Sequence, residues 1–342
     1  MTTCKIVINS GKKTIEVEKG SKLIEALSGQ GIYLPSACGS TGRCGLCKVT
    51  VSQGGGQFSV SEMSHLSAAQ RDANVRLACQ VVVADELQIE LPSEFLKAQE
   101  YISVLKSKKY LTKDIVELTL ELSSPSSIHF HAGQYITLKM PAHEDKKAAM
   151  RPFSIASSNA DHSCIQLNVR LNPQGIVTPW VFNTLQENQE VSFSGPRGNF
   201  FIRNSMRPMI FVAGGSGMAP VRSILKTMQE HHSTRSAMFF FGALTQSDLF
   251  YMNEMELIKK DLENFVFIPV LSNEPLGSDW KGERGLVTDA IDRIFPAKLS
   301  EHEAYLCGKP AMIEACLPVF DKKEIDKNRI FFDLFSSPKQ VK

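Results

Sequence analysis

The stretch SACGSTGRCGLC, residues 36–47, decides how the N-terminal part of this chain is interpreted, because it holds three closely spaced cysteines. Cys38, Cys44 and Cys47 lie among small residues, and Cys79 follows as a fourth thiol in the pattern C-x5-C-x2-C-x31-C. Three kinds of site bring thiols this close together: a zinc site, a disulfide staple and an iron–sulfur cluster. The rest of the chain distinguishes between them.

Composition limits the compartment and the classes of partner. The 342 residues suffice for two or three domains, and a net charge of +2 predicts no nucleic-acid partner. No apolar run reaches the roughly 18 residues of a membrane-spanning helix, and the N-terminus MTTCKIVINSGKK lacks the apolar segment of a signal peptide. We therefore expect a cytoplasmic protein without an intrinsic membrane anchor.

The cysteine spacing favours an iron–sulfur cluster. A reducing cytosol disfavours a disulfide, and a zinc ribbon usually offers two separate C-x2-C pairs. Here one loop supplies three thiols and a distant strand supplies Cys79, as in plant-type [2Fe–2S] sites. The small residues of the loop allow backbone amides to approach the sulfurs; they are Gly39, Ser40, Gly42 and Gly45. Structural zinc remains the alternative.

Hydrophobic patterning divides the chain into three predicted domains, at residues 1–95, 99–204 and 205–342. The first alternates as a hairpin, a helix capped by Ser21, a polar helix over 61–72 and return strands, which describes a β-grasp domain. Residues 92–100 read as a linker. The second domain has strands punctuated by Gly and Pro, typical of a small antiparallel barrel. The third alternates apolar strands with helices, which predicts a parallel, Rossmann-like sheet.

Two motifs of the predicted barrel suit a flavin nucleotide. In RPFSIAS, residues 151–157, Arg151 offers a charged fork for a pyrophosphate, Phe153 a flat ring, and Ser154 a hydroxyl for a flavin nitrogen. In QGIVTPW, Gly175 and Thr178 stand at a helix start, where free amides favour phosphate. An ordinary strand end and a capped helix are the alternative explanation of the two motifs.

The third domain carries glycine turns at the ends of its predicted strands. VAGGSGMAP, residues 212–220, follows a strand and opens a helix, so its backbone can approach a diphosphate. LCGKP, residues 306–310, lies at a later strand end on the same expected edge of the sheet, where open parallel sheets bind ligands.

In combination these motifs resemble the ferredoxin–NADP reductase superfamily, in the form that carries an N-terminal plant-type ferredoxin domain. The resemblance covers nearly the whole chain, and the x5 spacing is similar to the F subunit of sodium-pumping NADH:quinone reductases, whose N-terminal membrane helix is missing here. The resemblance implies a multidomain fold of a β-grasp ferredoxin domain, an antiparallel flavin-binding barrel and a Rossmann-like nucleotide domain.

The resemblance also implies roles for matched positions. The cluster ligands are Cys38, Cys44, Cys47 and Cys79. The flavin site comprises Arg151, Pro152, Phe153, Ser154, Gly175 and Thr178. The dinucleotide site comprises Gly214, Gly215, Gly217, Pro220 and Gly308. Three residues are implied in catalysis: Ser154 near flavin N5, Cys307 beside the nicotinamide, and Phe335 over one face of the isoalloxazine. Phe153 departs from a frequent tyrosine and Lys309 from a frequent proline.

The expected function is that of an NADH-dependent reductase with FAD and a [2Fe–2S] cluster. Electrons pass from NADH to FAD, then to the cluster, and then to an acceptor that is an oxygenase component or similar protein, a quinone or another acceptor. The alternative is a zinc-stabilised scaffold that binds nucleotide without turnover. The stretch LTQSDLFY, residues 244–251, has no Lys or Arg to meet a 2′-phosphate, so we expect NADH rather than NADPH.

Overall fold

A computed structural model describes residues 2–30, 32, 34, 40, 42, 45, 47–92, 94–97, 99–142 and 147–335. The chain divides into two compact units, with the boundary between Ala98 and Gln99. Each unit has its own buried apolar core. Across these described ranges, no helix has the length and apolar character needed to cross a membrane.

The first unit is built on one mixed sheet. Its strands are β1 (Thr3–Ile8), β2 (Lys13–Glu18), β3 (Lys48–Gln53), β4 (Val75–Leu77) and β5 (Leu87–Glu90). Their order is β2-β1-β5-β3-β4, with β1 antiparallel to β2 and parallel to β5. Helix α1 (Leu23–Gly29) buries Leu23 and Leu27 in the core of this unit. The predicted β-grasp fold is confirmed.

Two local predictions for this unit are wrong. Lys22, not Ser21, is the N-cap of α1, because the Ser21 hydroxyl donates to the Glu18 carbonyl instead, at 2.7 Å. The polar helix predicted over 61–72 is two helices, α2 (Val60–His65) and α3 (Ala68–Asp72). Ser67 starts the second with a capping box, and such a cap favours a fresh helix start over continuation.

The predicted linker also contains structure. Helix α4 (Glu94–Lys97) is one turn within it, and Phe95 is buried in the core of the first unit. Burial of this aromatic side chain offsets part of the entropy cost of ordering the turn. The part of the linker around Phe95 therefore belongs to the first unit.

The second unit begins with the antiparallel sheet. Its strands are β6 (Gln99–Tyr110), β7 (Ile115–Ser124), β8 (Tyr135–Met140), β9 (Ala149–Ser154), β10 (Cys164–Arg170) and β11 (Glu190–Arg197). Their order is β10-β7-β6-β11-β8-β9, and the sheet curls until an Ile155–Leu167 bridge joins its two ends. Helix α5 (Val177–Asn183) packs on the barrel core. The barrel prediction is confirmed.

The parallel sheet completes the second unit. Its strands are β12 (Met209–Gly214), β13 (Ala237–Ala243), β14 (Phe265–Leu271), β15 (Glu283–Arg284), β16 (Glu303–Gly308) and β17 (Ile330–Leu334). They lie in the order β15-β14-β13-β12-β16-β17. The principal helices are α6 (Met218–Glu230), α7 (Met252–Asp261), α8 (Val287–Ile294) and α9 (Pro310–Lys322). Apolar cores cover both faces of the sheet, as predicted.

The last strand differs from its prediction. Taken as sequence, the apolar run RIFFDLF, residues 329–335, predicts a final strand that is central and buries Phe331 and Phe332. Instead β17 is an edge strand paired only with β16 among the described strands, and Phe332 is 49% exposed. Phe331 is partly buried and stacks on Tyr305. A short apolar run does not distinguish an edge strand from a central one.

Candidate functional site

Strand pairing brings two of the four predicted cluster ligands together. Cys47 precedes β3, Cys79 follows β4, and the Ala78 amide donates to the Cys47 carbonyl at 2.8 Å. Both thiols are buried. The Cys47 thiol lowers the pKa of Cys79 to about 6; burial opposes this shift, and bonds from Gln80 and the Gly42 backbone assist it. Cys38 and Cys44 lie outside the described residues.

Two described glycines of the loop that carries these ligands have little room for a side chain. Gly42 has φ +80°, and a Cβ there would lie 2.7 Å from the Gln80 amide nitrogen. Gly45 has φ +66°, and a Cβ there would lie 3.2 Å from the His65 ring. Positive φ and buried sulfur donors are what a loop wrapped around a [2Fe–2S] cluster requires. The described residues thus fit the predicted group; Gly39 lies outside them.

A buried ion pair that the sequence analysis missed holds the strand end next to Cys79 in place. Arg76 and Glu62 bond at 2.8 Å, with side chains 4% and 0% exposed. Glu62 also accepts the Leu77 amide at 3.0 Å, two residues before Cys79. Although burial raises the pKa of Glu62, the bonds from Arg76, Ser59 and Leu77 bring it below its usual range. The pair holds α2 against the strand end that presents Cys79.

The flavin motif lies at the end of β9, beside β8. Ser154 is buried and pairs with Tyr135, while Phe153 packs against the barrel core. Arg151 is partly buried, and its guanidinium donates to the Met150 carbonyl at 2.7 Å. Burial lowers the pKa of Arg151. Pro152 is exposed. A half-buried guanidinium fits an anionic cofactor such as FAD.

The other predicted flavin contacts use their polar groups locally. The Thr178 hydroxyl donates to the Asn172 carbonyl at 3.1 Å and accepts the Asn172 amide at 2.9 Å. The Gly175 amide also donates to the Asn172 carbonyl, at 2.9 Å. Thr178 and Gly175 therefore close the loop before α5. Their contact with a pyrophosphate stays a prediction.

A carboxylate that the sequence did not single out joins two predicted catalytic residues. The Ser154 hydroxyl donates to Asp333 at 3.4 Å, and Asp333 stands opposite Cys307 in the β16–β17 register. Burial raises the pKa of Asp333 to about 6, although the bond from Ser154 opposes the shift. Burial and then the nearby Asp333 raise the pKa of the Cys307 thiol, which therefore stays protonated. A lone acid within the run FFDLF was the available signal.

A cleft of about 250 Å³ opens at the carboxyl edge of the parallel sheet. Gly214, Gly215, Asp248 and Lys309 line it, together with Arg170. The Arg170 guanidinium bonds Asp114 at 2.7 Å and lies 2.9 Å from where a Gly215 Cβ would project. The strand ends, glycine turn and cation fit a dinucleotide.

Three further predicted residues of the dinucleotide site serve packing beside the cleft. A Cβ on Gly217 would lie 2.3 Å from the Cys307 carbonyl oxygen, so the glycine lets α6 begin against β16. Gly308 has φ +141° and lies against Gly214. Pro220 is buried in the first turn of α6. These residues pack the elements beside the cleft, and their contact with a nucleotide stays a prediction.

Phe335 lies at the same edge of the sheet. Its amide donates to the Gly308 carbonyl at 2.8 Å, and its ring packs at the margin of one core of the parallel sheet. The chain therefore brings Phe335 close to Cys307 and Asp333. Whether the ring covers a flavin stays a prediction.

Comparisons with known proteins agree with this geometry. Three families match: the 2Fe-2S iron-sulfur cluster binding domain over residues 6–84, the oxidoreductase FAD-binding domain over 103–202, and the oxidoreductase NAD-binding domain over 211–317. The F subunit of the Na(+)-translocating NADH-quinone reductase of Klebsiella pneumoniae is 32% identical, across 96% of this chain and 90% of that protein. Its counterpart in Neisseria gonorrhoeae is 30% identical, across 95% and 90%.

Two solved structures share the fold across nearly the whole chain. A cytochrome P450 reductase of Amycolatopsis superposes with a TM-score of 0.78 at 27% identity, covering 98% of this chain and 100% of that one. The ferredoxin reductase in carbazole 1,9a-dioxygenase gives a TM-score of 0.73, with 98% of each chain covered. At 23% identity the second comparison bears on the fold alone.

Proposed function

Because the chain belongs to the family formed by the F subunits of Na(+)-translocating NADH-quinone reductases, within the ferredoxin reductase superfamily, we propose that it relays electrons from NADH to an external acceptor. It is an oxidoreductase with NAD-binding, FAD-binding and [2Fe–2S]-binding domains. When bound, FAD and the cluster together convert the two electrons of a hydride into single-electron transfers. The linear order of the relay and the identity of the acceptor are the proposal.

The meeting of Ser154, Asp333 and Cys307 carries the proposal. Ser154 ends β9 within the flavin motif, and Cys307 lies one residue before the end of β16, beside the dinucleotide cleft, so donor and acceptor sites adjoin. The protonated Cys307 thiol presents no charge to a bound nicotinamide. Asp333 accepts a hydrogen bond from the Ser154 hydroxyl and so fixes the orientation of that hydroxyl beside the flavin site.

Other residues of the second unit bind the flavin and the dinucleotide and exclude water from the site. Arg151 holds the flavin pyrophosphate, with Pro152, Phe153, Gly175 and Thr178 completing that site. Two glycine turns receive the dinucleotide. The first contributes Gly214, Gly215, Gly217 and Pro220, and the second contributes Gly308. Phe335 covers the flavin face until nicotinamide displaces the ring, because hydride transfer needs close contact of the reacting atoms.

The first unit supplies the exit from the relay. Cys38, Cys44, Cys47 and Cys79 hold the cluster, and thiolate ligation suits the low pKa of Cys79. The names of similar proteins point to two acceptor classes, a quinone and a protein component of an oxygenase system. We propose one of these as the acceptor.

Metal analysis and turnover test the proposal together. Anaerobically purified protein should contain about two irons and two sulfides per flavin, the content of a plant-type site. NADH should then reduce ferricyanide, a quinone or cytochrome c with turnover. One zinc per chain without sulfide, and no turnover with any acceptor, would support the nucleotide-binding scaffold instead.

A further inference from the structure

A seam of hydrogen bonds joins the end of the flavin motif, and the two residues after it, to the helix that follows the glycine turn. Ser223 on α6 donates to the Ser157 carbonyl at 2.6 Å, and Ser158 donates to Glu230 at 2.7 Å. Thr227 donates to the Asn159 side chain at 3.1 Å. Because Ser157 ends the motif RPFSIAS and α6 follows Gly217 directly, the seam joins the two binding motifs of the second unit.

Arg222 lies at the centre of this seam. Its guanidinium bonds both carboxylate oxygens of Glu254, at 2.6 and 2.9 Å. The Nη1 atom donates to the Ala156 carbonyl at 2.9 Å and to Gln166 at 2.8 Å. The side chain is 4% exposed. Arg222 thus bonds the barrel on one side and α7 on the other, which only a multidentate planar group can do.

Tyr251 brings the cleft loop into the same network. It ends the stretch 244–251, of which Leu244 and Asp248 line the cleft, and has φ +58°. The Arg222 guanidinium lies 4.3 Å from the centre of the Tyr251 ring. The hydroxyl lies 2.5 Å from Glu117 and 2.9 Å from Asn168.

One hydroxyl proton serves only one of these two oxygens, so it goes to the Glu117 carboxylate. The Asn168 amide nitrogen is buried without a partner among the described residues. Turning that amide exchanges two atoms of nearly equal size and lets its nitrogen donate to the phenol oxygen. The network then runs without a gap from Asn168 through Tyr251 to Glu117.

The network therefore links three elements that each touch a binding motif: the segment after Ser154, the start of α6, and the loop at the far end of the cleft. A buried ion pair contributes little net stability compared with apolar packing of the same volume. Small displacements of bound reactants, in contrast, lower the rate of the chemical step strongly. We therefore infer that the main effect of this network is to fix the relative positions of the two binding motifs.

We propose that Arg222 and Tyr251 are positioning residues that set how the nicotinamide approaches the flavin. The proposal rests on the proposed function, since it concerns the first step of that relay. Neither residue needs to touch a cofactor. Their effect passes through Ala156 and the loop 244–251.

Rapid mixing of the anaerobic, fully loaded protein with NADH separates positioning from binding. For Arg222→Gln we expect the limiting rate of flavin reduction to fall about tenfold or more, and the NADH Kd to change less than about threefold. Flavin content, the cluster spectrum and reduction by dithionite should stay as in the wild type. Deuterated NADH should give a larger isotope effect than in the wild type, because hydride transfer becomes fully limiting.

Two companion variants keep the test sharp if Arg222→Gln fails to fold. Tyr251→Phe retains the ring over Arg222 but loses the Glu117 bond, so the limiting rate should fall about threefold at unchanged Kd. Arg222→Lys keeps the charge without the bidentate fork and should recover only part of the rate.

The matched control is Arg235→Gln. Arg235 is a buried arginine bonded to Glu303 at 2.6 Å, but its other partners are the Arg203 and Arg207 carbonyls and Ser205, away from the flavin motif. It should lose melting temperature and keep the limiting rate within about twofold. Wild-type limiting rates in both Arg222→Gln and Tyr251→Phe, or equal slowing in Arg235→Gln, would overturn the inference. Failure of the proposed function differs, because wild-type flavin would then not be reduced by NADH.

Discussion

Two buried arginine–glutamate pairs, one in each unit, have similar chemistry but connect different numbers of structural elements. Arg76 in the first unit binds Glu62 and the carbonyls of Gly55 and Gln57, all in the same small domain. Arg222 in the second unit binds Glu254 on α7 but also reaches the barrel. The guanidinium side chains of both are 4% exposed.

The difference shows that burial of a pair does not by itself indicate its role. Arg76 closes a loop around the strand end that carries Cys79, so its loss should act on folding and on the cluster. Arg222 connects elements that carry different binding motifs, so its loss should act on the rate of hydride transfer. Each unit can therefore be impaired separately.

The largest expected effect comes from removing the cluster. Cys79→Ala should abolish transfer to cytochrome c and leave NADH–ferricyanide activity within about twofold, because the flavin suffices for that dye. Cys4→Ala, at another buried cysteine of the same unit, is the control and should retain iron and both activities. Parallel loss of both activities in a flavin-loaded Cys79→Ala protein would contradict the separation of the units.

The Arg76–Glu62 pair gives the next largest effect. Arg76→Met leaves Glu62 buried without its partner, which typically costs about 3–5 kcal/mol. Because the pKa of Glu62 is below its usual range, the pair stabilises the protein at neutral pH, and that stability is lost as pH falls through the folded pKa. Calorimetry at pH 7 and pH 4 should show the difference between wild type and variant shrinking at the lower pH. If Arg76→Met also slowed flavin reduction by NADH, the two arginines would not differ in role as we propose.

Asp333 sharpens the comparison as a half-buried carboxylate whose side-chain partner is the Ser154 hydroxyl rather than an arginine. Its pKa of about 6 lies above the unfolded value of 3.8, so the folded state binds the extra proton between these values. Stability from this group is therefore present below pH 3.8 and is lost as pH rises through 6. Asp333→Asn removes the cost of holding a charged carboxylate there. The melting temperature at pH 7.5 should rise by about 2–4 °C for each kcal/mol gained in the free energy of unfolding, and much less at pH 4.5. An equal rise at both pH values would refute burial as the cause.

The smallest effect concerns nucleotide choice in the second unit. Asp248 lines the cleft and accepts the Thr245 amide at 3.1 Å, and its charge opposes a 2′-phosphate. We expect kcat/KM for NADH to exceed that for NADPH about tenfold, which takes about 1.4 kcal/mol. Asp248→Asn can keep the hydrogen bond to the Thr245 amide but removes the negative charge. It should therefore lower the ratio of kcat/KM for NADH to kcat/KM for NADPH. Equal efficiency of the wild type with both nucleotides would show that this loop does not discriminate.

Local pattern predicted much of this fold, and the misses have physical reasons. The hairpin, the four principal helices of the parallel sheet and its strand ends follow from periodicity and glycine turns. Asp333 escaped prediction because its partner Ser154 is 179 positions away, and no local pattern encodes that contact. Tyr251 escaped because a left-handed tyrosine is held by surrounding tertiary contacts. Ser21 failed as a cap because a competing carbonyl took its hydroxyl.

Reduction of FAD-free protein by NADH tests the relay most directly. The flavin is removed, retention of iron and sulfide is verified, and the protein is mixed anaerobically with NADH while the cluster spectrum is followed. The account predicts that the cluster stays oxidised, and that added FAD restores reduction, with flavin absorbance lost before the reduced-cluster signal grows. Reduction of the cluster at the wild-type rate without FAD would contradict it.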